Sequence, residues 1–211
     1  MNADPCRSDF FSESQLRKLL NSSEIFGRLW RSALPYLDTR QNETHTRLSV
    51  GLAFLLLDRE GGDVPVVVPA VILHDVGWKH VPAEMQLRAF GPNATDPELN
   101  RIHEVEGVKI ARVLLKQVGM DAKWIPEILT IIDGHDSRLD AISHNDRLVK
   151  DADKLWRYTH EGLGIDIERF GETYAGGLQR LRENLPRWFL TATGRQTARD
   201  LLHQREREMP P

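Results

Sequence analysis

An apolar segment that ends in an adjacent histidine and aspartate constrains this chain most. Val64–Leu73 contains no polar side chain, and His74, Asp75 and Gly77 follow it directly. Its β-branched residues favour a strand by propensity alone. No second strand-like run is present to pair with it, and the neighbouring segments have helical periodicity. We therefore predict a buried helix from about Pro69, within an all-α, compact helical fold.

Capping residues and glycines divide the remainder of the chain into helices. The predicted starts are a capping box at Ser12–Gln15, Asn42, an Asp96 N-cap followed by Pro97 and Glu98, Asp121, and Ser143. We expect Gly162 and Gly164 to end the helix that starts at Ser143. Two further helices are predicted over Ile167–Leu185 and Arg195–Glu208.

Length and composition indicate an ordinary globular protein. The 211 residues suit one domain. We predict an N-terminal helical segment over 1–40, a core over 41–160, and C-terminal helices over 161–211 that complete the same domain. The net charge of -3 provides no drive towards a nucleic-acid duplex or an anionic membrane.

The expected compartment is the cytoplasm. Cys6 is the single cysteine, which fits a reducing environment. Met1–Phe11 has no apolar core of the kind found in signal peptides, and the longest apolar runs are far shorter than about 20 residues. No membrane partner is therefore expected, while a homodimer remains open.

Histidines recur on the apolar side of several predicted helices. His45, His74, His103 and His135 have this placement, with His144 a less clear fifth. Helix ends can converge on one pocket in a bundle, which is where such folds build metal sites. Neutral imidazole suits transition metals and carboxylate suits harder cations. The four histidines, Asp75 and a later Asp are thus candidate ligands.

The order His, His-Asp, His, His, Asp resembles the HD-domain metal-dependent phosphohydrolase superfamily. The residues that carry the resemblance cover about 40–160 and are Thr44–Leu48, Ala70–Gly77, His103–Ala111, Gly134–Asp136 and Val149–Leu155. The resemblance implies a first metal bound by His45, His74, Asp75 and a late Asp. It implies a second metal bound by His103 and His135, with Asp75 as the bridge.

Two aspartates compete for the last ligand position. Asp153 is preferred because Ala152–Leu155 resembles the family's Ala-Asp-basic-Leu pattern, and Asp151 is the alternative. The two point to different sides of a helix, so they are not expected to bind one ion together.

Other positions depart from the family pattern. Many dinuclear members have a lysine where this chain has Trp78, followed here by Lys79. The Gly-Tyr-Pro signature of cyclic-dinucleotide phosphodiesterases is missing. The spacing from His135 to Asp153 is close to that of HD-type diadenosine polyphosphate hydrolases, which points to nucleotide-like substrates.

The resemblance predicts a metal-dependent phosphohydrolase that acts on a small phosphoester or phosphoanhydride. One or two divalent ions (Fe, Mn, Co, Ni, Zn or Mg) would activate water for attack on phosphorus. The candidate catalytic residues are His74, Asp75, Lys79 and Glu104, with Asp136 as an alternative to Glu104. The candidate phosphate-binding residues are Lys79, Lys109 and Lys150, followed by Arg157. Trp78 and Trp156 are candidates for a pocket wall that stacks on a base, although core packing is the preferred explanation for both.

Two other functions remain open from the sequence. The same six-ligand order resembles mixed-valent diiron oxygenases such as myo-inositol oxygenase and a phosphonate-cleaving oxygenase, and four histidines with two carboxylates suit iron. A non-catalytic metal- or nucleotide-sensing domain is the third hypothesis. Every ligand position is filled, which argues against a decayed site.

Overall fold

The computed structural model describes residues 11–92 and 94–208, and that part of the chain is helical without strands. This confirms the all-α prediction. The helices are α1 (Glu13–Leu20), α2 (Glu24–Ala33), α3 (Asn42–Glu60), α4 (Val64–Leu73), α5 (Ala83–Gln86), α6 (Glu98–Gln117), α7 (Ile125–Ile132), α8 (His144–Leu155), α9 (His160–Phe170), α10 (Tyr174–Trp188) and α11 (Ala192–Arg207). Three 3-10 helices cover Leu34–Tyr36, Val76–His80 and Trp156–Tyr158.

Helix α4 is the centre of the core. Every side chain from Val66 to Leu73 is buried, because α2, α3, α7 and α8 surround the helix. Such an environment requires apolar residues on all sides of the helix, which explains its lack of a polar face. The helix begins at Val64, five residues before the predicted start at Pro69. Pro65 fits its first turn, where no amide donor is needed.

Several predicted helix starts are confirmed. Ser12 forms a capping box, since its Oγ accepts from the Gln15 amide and the Gln15 side chain accepts from the Ser12 amide. The Ser143 hydroxyl caps α8 by accepting from the Asp146 amide. The Asp96 cap is wrong, because α6 begins after Pro97 without a side-chain cap.

The predicted breaks in the C-terminal part are wrong. The helix from Ser143 ends at Leu155, and Gly162 and Gly164 both lie inside α9. A Cβ on Gly162 would lie 1.9 Å from the Trp156 carbonyl oxygen, so this glycine permits a close contact. Ile167–Leu185 is also two helices, separated at Gly171 with φ +63°.

The 3-10 helix that contains Gly77 crosses α6 at very short range. A Cβ on Gly77 would lie 1.8 Å from the carbonyl oxygen of His103 and 2.5 Å from the amide nitrogen of Gly107. The 3-10 helix Val76–His80 can therefore lie directly on the backbone of α6. This crossing places His103 beside the His74-Asp75 pair.

The C-terminal helices contact the rest of the fold at two places. Helix α11 packs on α3 and α8, while α9 packs on the 3-10 helix Trp156–Tyr158. Arg195 lies inside α11 because Thr191, not a later residue, caps it. Within 11–92 and 94–208, no helix has the length and apolar character needed to cross a membrane.

Candidate metal centre

Six buried side chains from five parts of the chain meet at one point. His45 comes from the first turns of α3, and His74 and Asp75 follow α4. His103 comes from α6, His135 follows α7, and Asp153 comes from the last turn of α8. They have between 0 and 5% of their surface exposed, so bulk water does not screen their charges.

The first half of the cluster combines His45, His74 and Asp153. Asp153 Oδ1 lies 3.0 Å from His45 Nε2 and 3.4 Å from His74 Nε2. These three residues offer ligand atoms within 4.8 Å of one another. They are thus spaced to converge on one ion.

The second half combines His103, His135 and Asp136. The Nε2 atoms of His103 and His135 are 3.2 Å apart. Asp136 Oδ2 lies 3.8 Å from each of these nitrogens. Asp136 therefore belongs to a second group of the same size, whereas the sequence suggested it only as an alternative to Glu104.

Asp75 lies between the two halves. Its Oδ2 is 3.2 Å from His45 Nδ1 and 3.7 Å from His74 Nε2. Its Oδ1 is 3.5 Å from His135 Nε2 and 3.8 Å from His103 Nε2. Each carboxylate oxygen thus faces a different pair of histidines. This arrangement suits a carboxylate shared by two ions.

Backbone hydrogen bonds orient two of the imidazoles. His74 Nδ1 donates to the Val71 carbonyl at 2.8 Å, and His135 Nδ1 donates to the Ile132 carbonyl at 3.0 Å. A carbonyl only accepts, so each neutral ring keeps a lone pair on Nε2, aimed into the cluster. His74 Nε2 is buried without a hydrogen-bond partner. The donor set therefore fits a metal ion, which would satisfy this nitrogen.

Charges inside the cluster set opposite protonation states for neighbouring histidines. Burial lowers the pKa of His103 to about 4, and the charge of His135 contributes. For His135, burial is outweighed by Asp75 and Asp136, which raise its pKa to about 9. The pKa values of Asp75 and Asp153 lie well below the usual range because the histidines and Lys154 outweigh burial. Two ionised carboxylates thus face the site, as cation binding requires.

A comparison with protein families identifies the same region. The model of the HD domain matches residues 42–158, which is more than half of the chain. The chain belongs to the HD domain family. Comparisons with curated proteins and with solved structures find no match.

We call the cluster of His45, His74, Asp75, His103, His135 and Asp153 the HD centre. Asp153, and not Asp151, belongs to it. The Asp151 carboxylate accepts from the Leu190 and Thr191 amides and from the Thr191 hydroxyl, at 2.6 to 2.9 Å. It is therefore committed to the segment that precedes α11. As expected from the helix geometry, the two aspartates point in different directions.

Glu104 anchors the segment that carries His135. Its carboxylate is fully buried and accepts from the Asp136 and Ser137 amides, the Ser137 hydroxyl and Arg101. It does not line the cavity described below. Glu104 therefore fixes the backbone that follows His135, and both of its oxygens accept hydrogen bonds within the protein.

The three lysines chosen from the sequence for phosphate binding lie elsewhere. Lys79 pairs with Asp38 at 2.7 Å, and Lys109 pairs with Glu106 at 2.6 Å. Both are exposed. Lys150 is buried and donates to the carbonyls of residues 134, 135 and 138 at 2.7 to 3.0 Å. It therefore stabilises the loop after α7 and does not face the HD centre.

A cavity of about 430 Å³ opens directly onto the HD centre. His45, Asp75, Asp136 and Asp153 line its floor. The residues that line its wall with positive charge are Arg40, Lys154, Arg157, Arg180 and Arg187. We call these five residues the cationic wall. Sequence analysis identified only Arg157 among them, although Lys154 was visible in the Ala152–Leu155 motif.

Buried carboxylates hold part of the cationic wall. Lys154 Nζ lies 2.8 Å from Asp136 Oδ1 and 2.6 Å from Asp153 Oδ2. Asp166 is completely buried and pairs with Arg157 at 2.8 Å and Arg180 at 3.3 Å. Lys154, Arg157 and Arg180 are therefore held in position before any ligand binds.

Both candidate tryptophans stack on histidine rings of the cluster. Trp78 stacks on His103 with ring centroids 4.1 Å apart, and Trp156 stacks on His45 at 4.5 Å. Trp78 also donates its indole N–H to Asp75 at 3.0 Å and lines the cavity. It thus combines the two roles that were considered for it.

Proposed function

We propose that this protein is a metal-dependent phosphohydrolase with two ions in its HD centre, acting on a small phosphoester or phosphoanhydride. The observation that carries the proposal is the placement of Asp75. Its two oxygens face different histidine pairs, and it lies at the floor of a cavity with a cationic wall. A metal centre beside fixed cations is suited to a phosphoryl group.

Two overlapping ligand sets follow from this geometry. His45, His74, Asp75 and Asp153 would hold the first ion, and Asp75, His103 and His135 would hold the second, with Asp136 as a further ligand. When bound, the ions would polarise the phosphoryl oxygens and lower the pKa of a water molecule. The mixture of imidazole and carboxylate suits Fe, Mn, Co, Ni or Zn better than Mg.

The cationic wall replaces the surface lysines as the proposed phosphate site. Lys154 follows Asp153 in α8 and contacts two carboxylates of the floor directly, and Arg157 lies in the 3-10 helix that follows. The pKa of Lys154 is raised because Asp136 and Asp153 outweigh its burial. It remains a cation at neutral pH and can stabilise charge that develops on a phosphoryl group.

Elemental analysis combined with a substrate screen tests the proposal. The protein is purified, reconstituted in turn with Mn, Fe, Co, Ni, Zn and Mg, and assayed for phosphate release from nucleotides and other small phosphoesters. Stoichiometric metal and metal-dependent phosphate release are expected. A protein that takes up no metal under any of these conditions would instead behave as the sensor hypothesis requires.

The diiron oxygenase is kept as a second candidate because the cluster offers four histidines and two carboxylates, a donor set that suits iron. Iron-loaded protein is assayed with and without oxygen on phosphoesters and on phosphonates. Phosphate release that proceeds equally without oxygen supports hydrolysis. Product formation that depends on oxygen assigns the centre to the oxygenase class.

A further inference from the structure

Among residues 11–92 and 94–208, Arg40 forms no ion pair with a carboxylate, although part of its guanidinium is buried. Its Nε and Nη1 atoms are buried and have no hydrogen-bond partner. The other buried arginines of the wall, Arg157 and Arg180, are both paired with Asp166. Burial lowers the pKa of Arg40 to about 10, so it is still charged at neutral pH. A buried cation with free donors is costly and needs a reason.

Aromatic rings hold this guanidinium in place. The Arg40 Cζ atom lies 4.1 Å from the Trp78 ring centroid and 4.0 Å from the Phe90 ring centroid. Rings contact a guanidinium through its flat face and leave the N–H groups at its edge free. Both rings line the cavity together with Arg40. A ligand in the cavity can therefore approach this guanidinium at its edge.

The backbone around Arg40 is also fixed in an uncommon conformation. Arg40 and Gln41 both have positive φ values, +53° and +58°, which non-glycine residues rarely adopt. Arg169 donates to the Arg40 carbonyl at 2.7 Å and pairs with the buried Asp166 at 3.1 Å. The same carboxylate that orients Arg157 and Arg180 thus also supports the Arg40 backbone.

We propose that Arg40 binds a second anionic group of the substrate, separate from the phosphoryl group at the metal ions. The inference rests on the proposed function and narrows its substrate class to small phosphorylated molecules that carry another phosphate or a carboxylate. The charge balance supports this. Lys154 is neutralised by Asp136 and Asp153, and Asp166 partly neutralises Arg157 and Arg180. In the described part of the chain no carboxylate pairs directly with Arg40, and Asp75 and Asp136 act on its charge from beyond ion-pair distance.

The volume of the cavity sets the scale of such a ligand. About 430 Å³ lies within the range of small-molecule sites and leaves room for a compact molecule with two charged ends. A planar guanidinium that has no carboxylate partner matches a carboxylate or phosphate through paired hydrogen bonds. A ligand with a single anionic group would leave Arg40 unpaired.

Binding of phosphonate pairs tests the proposal without turnover. Calorimetry on Mn-loaded protein compares propylphosphonate with 3-phosphonopropionate and 1,3-propanediphosphonate, and with the corresponding series that has one methylene fewer or more. At least one two-anion ligand is expected to bind about tenfold more tightly than its one-anion counterpart. Arg40→Met is expected to remove most of that ratio.

Two control variants complete the design. Arg40→Lys keeps the charge but not the planar donor pair, so it should restore only part of the ratio. Arg88→Met removes an exposed arginine that pairs with Asp96 at 3.8 Å and does not line the cavity, and it should leave the ratio as in wild type. Thermal unfolding of Arg40→Met should be no lower than wild type, because the substitution removes an unpaired buried charge.

The outcomes separate this inference from the proposed function. Equal loss of one-anion and two-anion binding in Arg40→Met would place Arg40 on the reacting phosphoryl group and overturn the inference. A two-anion preference that survives in Arg40→Met would overturn it as well, as would a series with no such preference. Metal-dependent phosphate release can succeed in each of these cases. Conversely, a preference that needs Arg40 in a protein without phosphatase activity would overturn only the hydrolase.

Discussion

The floor and the wall of the cavity differ in how their charges are arranged. On the floor, each carboxylate of the metal centre contacts histidines that hold it ready for cations, and all six expected ligands come from residues 42–158 of the HD domain match. The cationic wall combines Lys154 and Arg157 with Arg40, Arg180 and Arg187 from outside that match. The family motif therefore specifies the metal centre, while the surrounding chain determines what can lie against it.

The largest effect is expected at Asp75, because it serves both halves of the floor. Asp75→Asn should lose both ions and lower metal-dependent phosphate release by on the order of 100-fold or more, since even outer partners of metal ligands cost 10- to 100-fold. His103→Ala should lose one ion and keep the other. Elemental analysis of the purified variants measures both stoichiometries.

Asp151→Asn is the matched control for this experiment. It removes a fully buried carboxylate of the HD domain that caps the segment before α11 and does not reach the floor. Its metal content should equal that of wild type even where its stability falls. Retention of one ion by Asp75→Asn would show that Asp75 does not bridge.

Metal binding to the floor should weaken as the pH falls. Asp75 and Asp136 raise the pKa of His135 to about 9 in the metal-free protein, against the effect of burial. Between neutral pH and about pH 9 an ion must displace this proton, so the apparent association constant should fall about tenfold per pH unit. Competition with a metal chelator of known pH dependence measures the slope.

The stability of the metal-free protein should change in the opposite direction. A histidine whose folded pKa is raised contributes stability that is fully present below its unfolded pKa, about 6.5, and is lost as the pH rises through about 9. Chemical unfolding from pH 6 to pH 9.5 should therefore show a decline without metal. His135→Gln serves as the control, and an identical decline in that variant would assign it to other groups.

The wall is expected to respond to Asp166 without a change in the floor. Asp166 pairs with Arg157, Arg169 and Arg180, and Asp166→Asn should leave these arginines repelling one another. We expect KM to rise about tenfold, the free energy of unfolding to fall by about 3 kcal/mol, and the metal content to remain that of wild type. Steady-state kinetics and denaturant unfolding measure these effects.

Glu172→Gln provides a narrower version of the same change. Glu172 pairs only with Arg180 among the arginines of the wall, at 3.0 Å. Its effect on KM should be smaller than that of Asp166→Asn. A loss of metal in Asp166→Asn would mean that the ion pairs of Asp166 also support the floor, and it would contradict this prediction.

The metal centre was more accessible from sequence than the wall for a physical reason. Candidate ligands such as His74 and Asp75 belong to a short sequence pattern. That pattern includes Gly77, whose missing Cβ allows α6 to cross. The wall has no such pattern. The residues next to Arg180 do not show that it lines a cavity, and only the folded chain distinguishes it from an exposed lysine such as Lys79.

The fold, like the site, was predicted correctly where the deciding interaction is local and wrongly where it joins two elements. Helix starts with a side-chain cap, such as Ser12 and Ser143, were predicted correctly because the cap is a local interaction. The helix end predicted at Gly162 and Gly164 was wrong. Gly162 lies inside α9 because Trp156 packs against it, which is a contact between two elements.

The smallest expected effect distinguishes two glycines of α9, the helix that carries Asp166 and Arg169. A Cβ on Gly164 would meet nothing within 4 Å, whereas a Cβ on Gly162 would lie 1.9 Å from the Trp156 carbonyl oxygen. Gly164→Ala should raise the free energy of unfolding by about 0.5–1 kcal/mol, because alanine is the better helix residue. Gly162→Ala should lower it by more than that.

Denaturant unfolding of both variants, with metal content and KM measured in parallel, completes the comparison. Because a Cβ at Gly164 would meet nothing within 4 Å, Gly164→Ala should keep the metal content and the KM of wild type. A destabilising Gly164→Ala would instead favour a helix break in α9, as its glycines suggest. Gly162→Ala displaces α9 from Trp156, which stacks on His45. Gly162→Ala should therefore raise KM, because α9 carries Asp166, and have a smaller effect on metal content. His45 keeps its position because Asp75 and Asp153 also contact it.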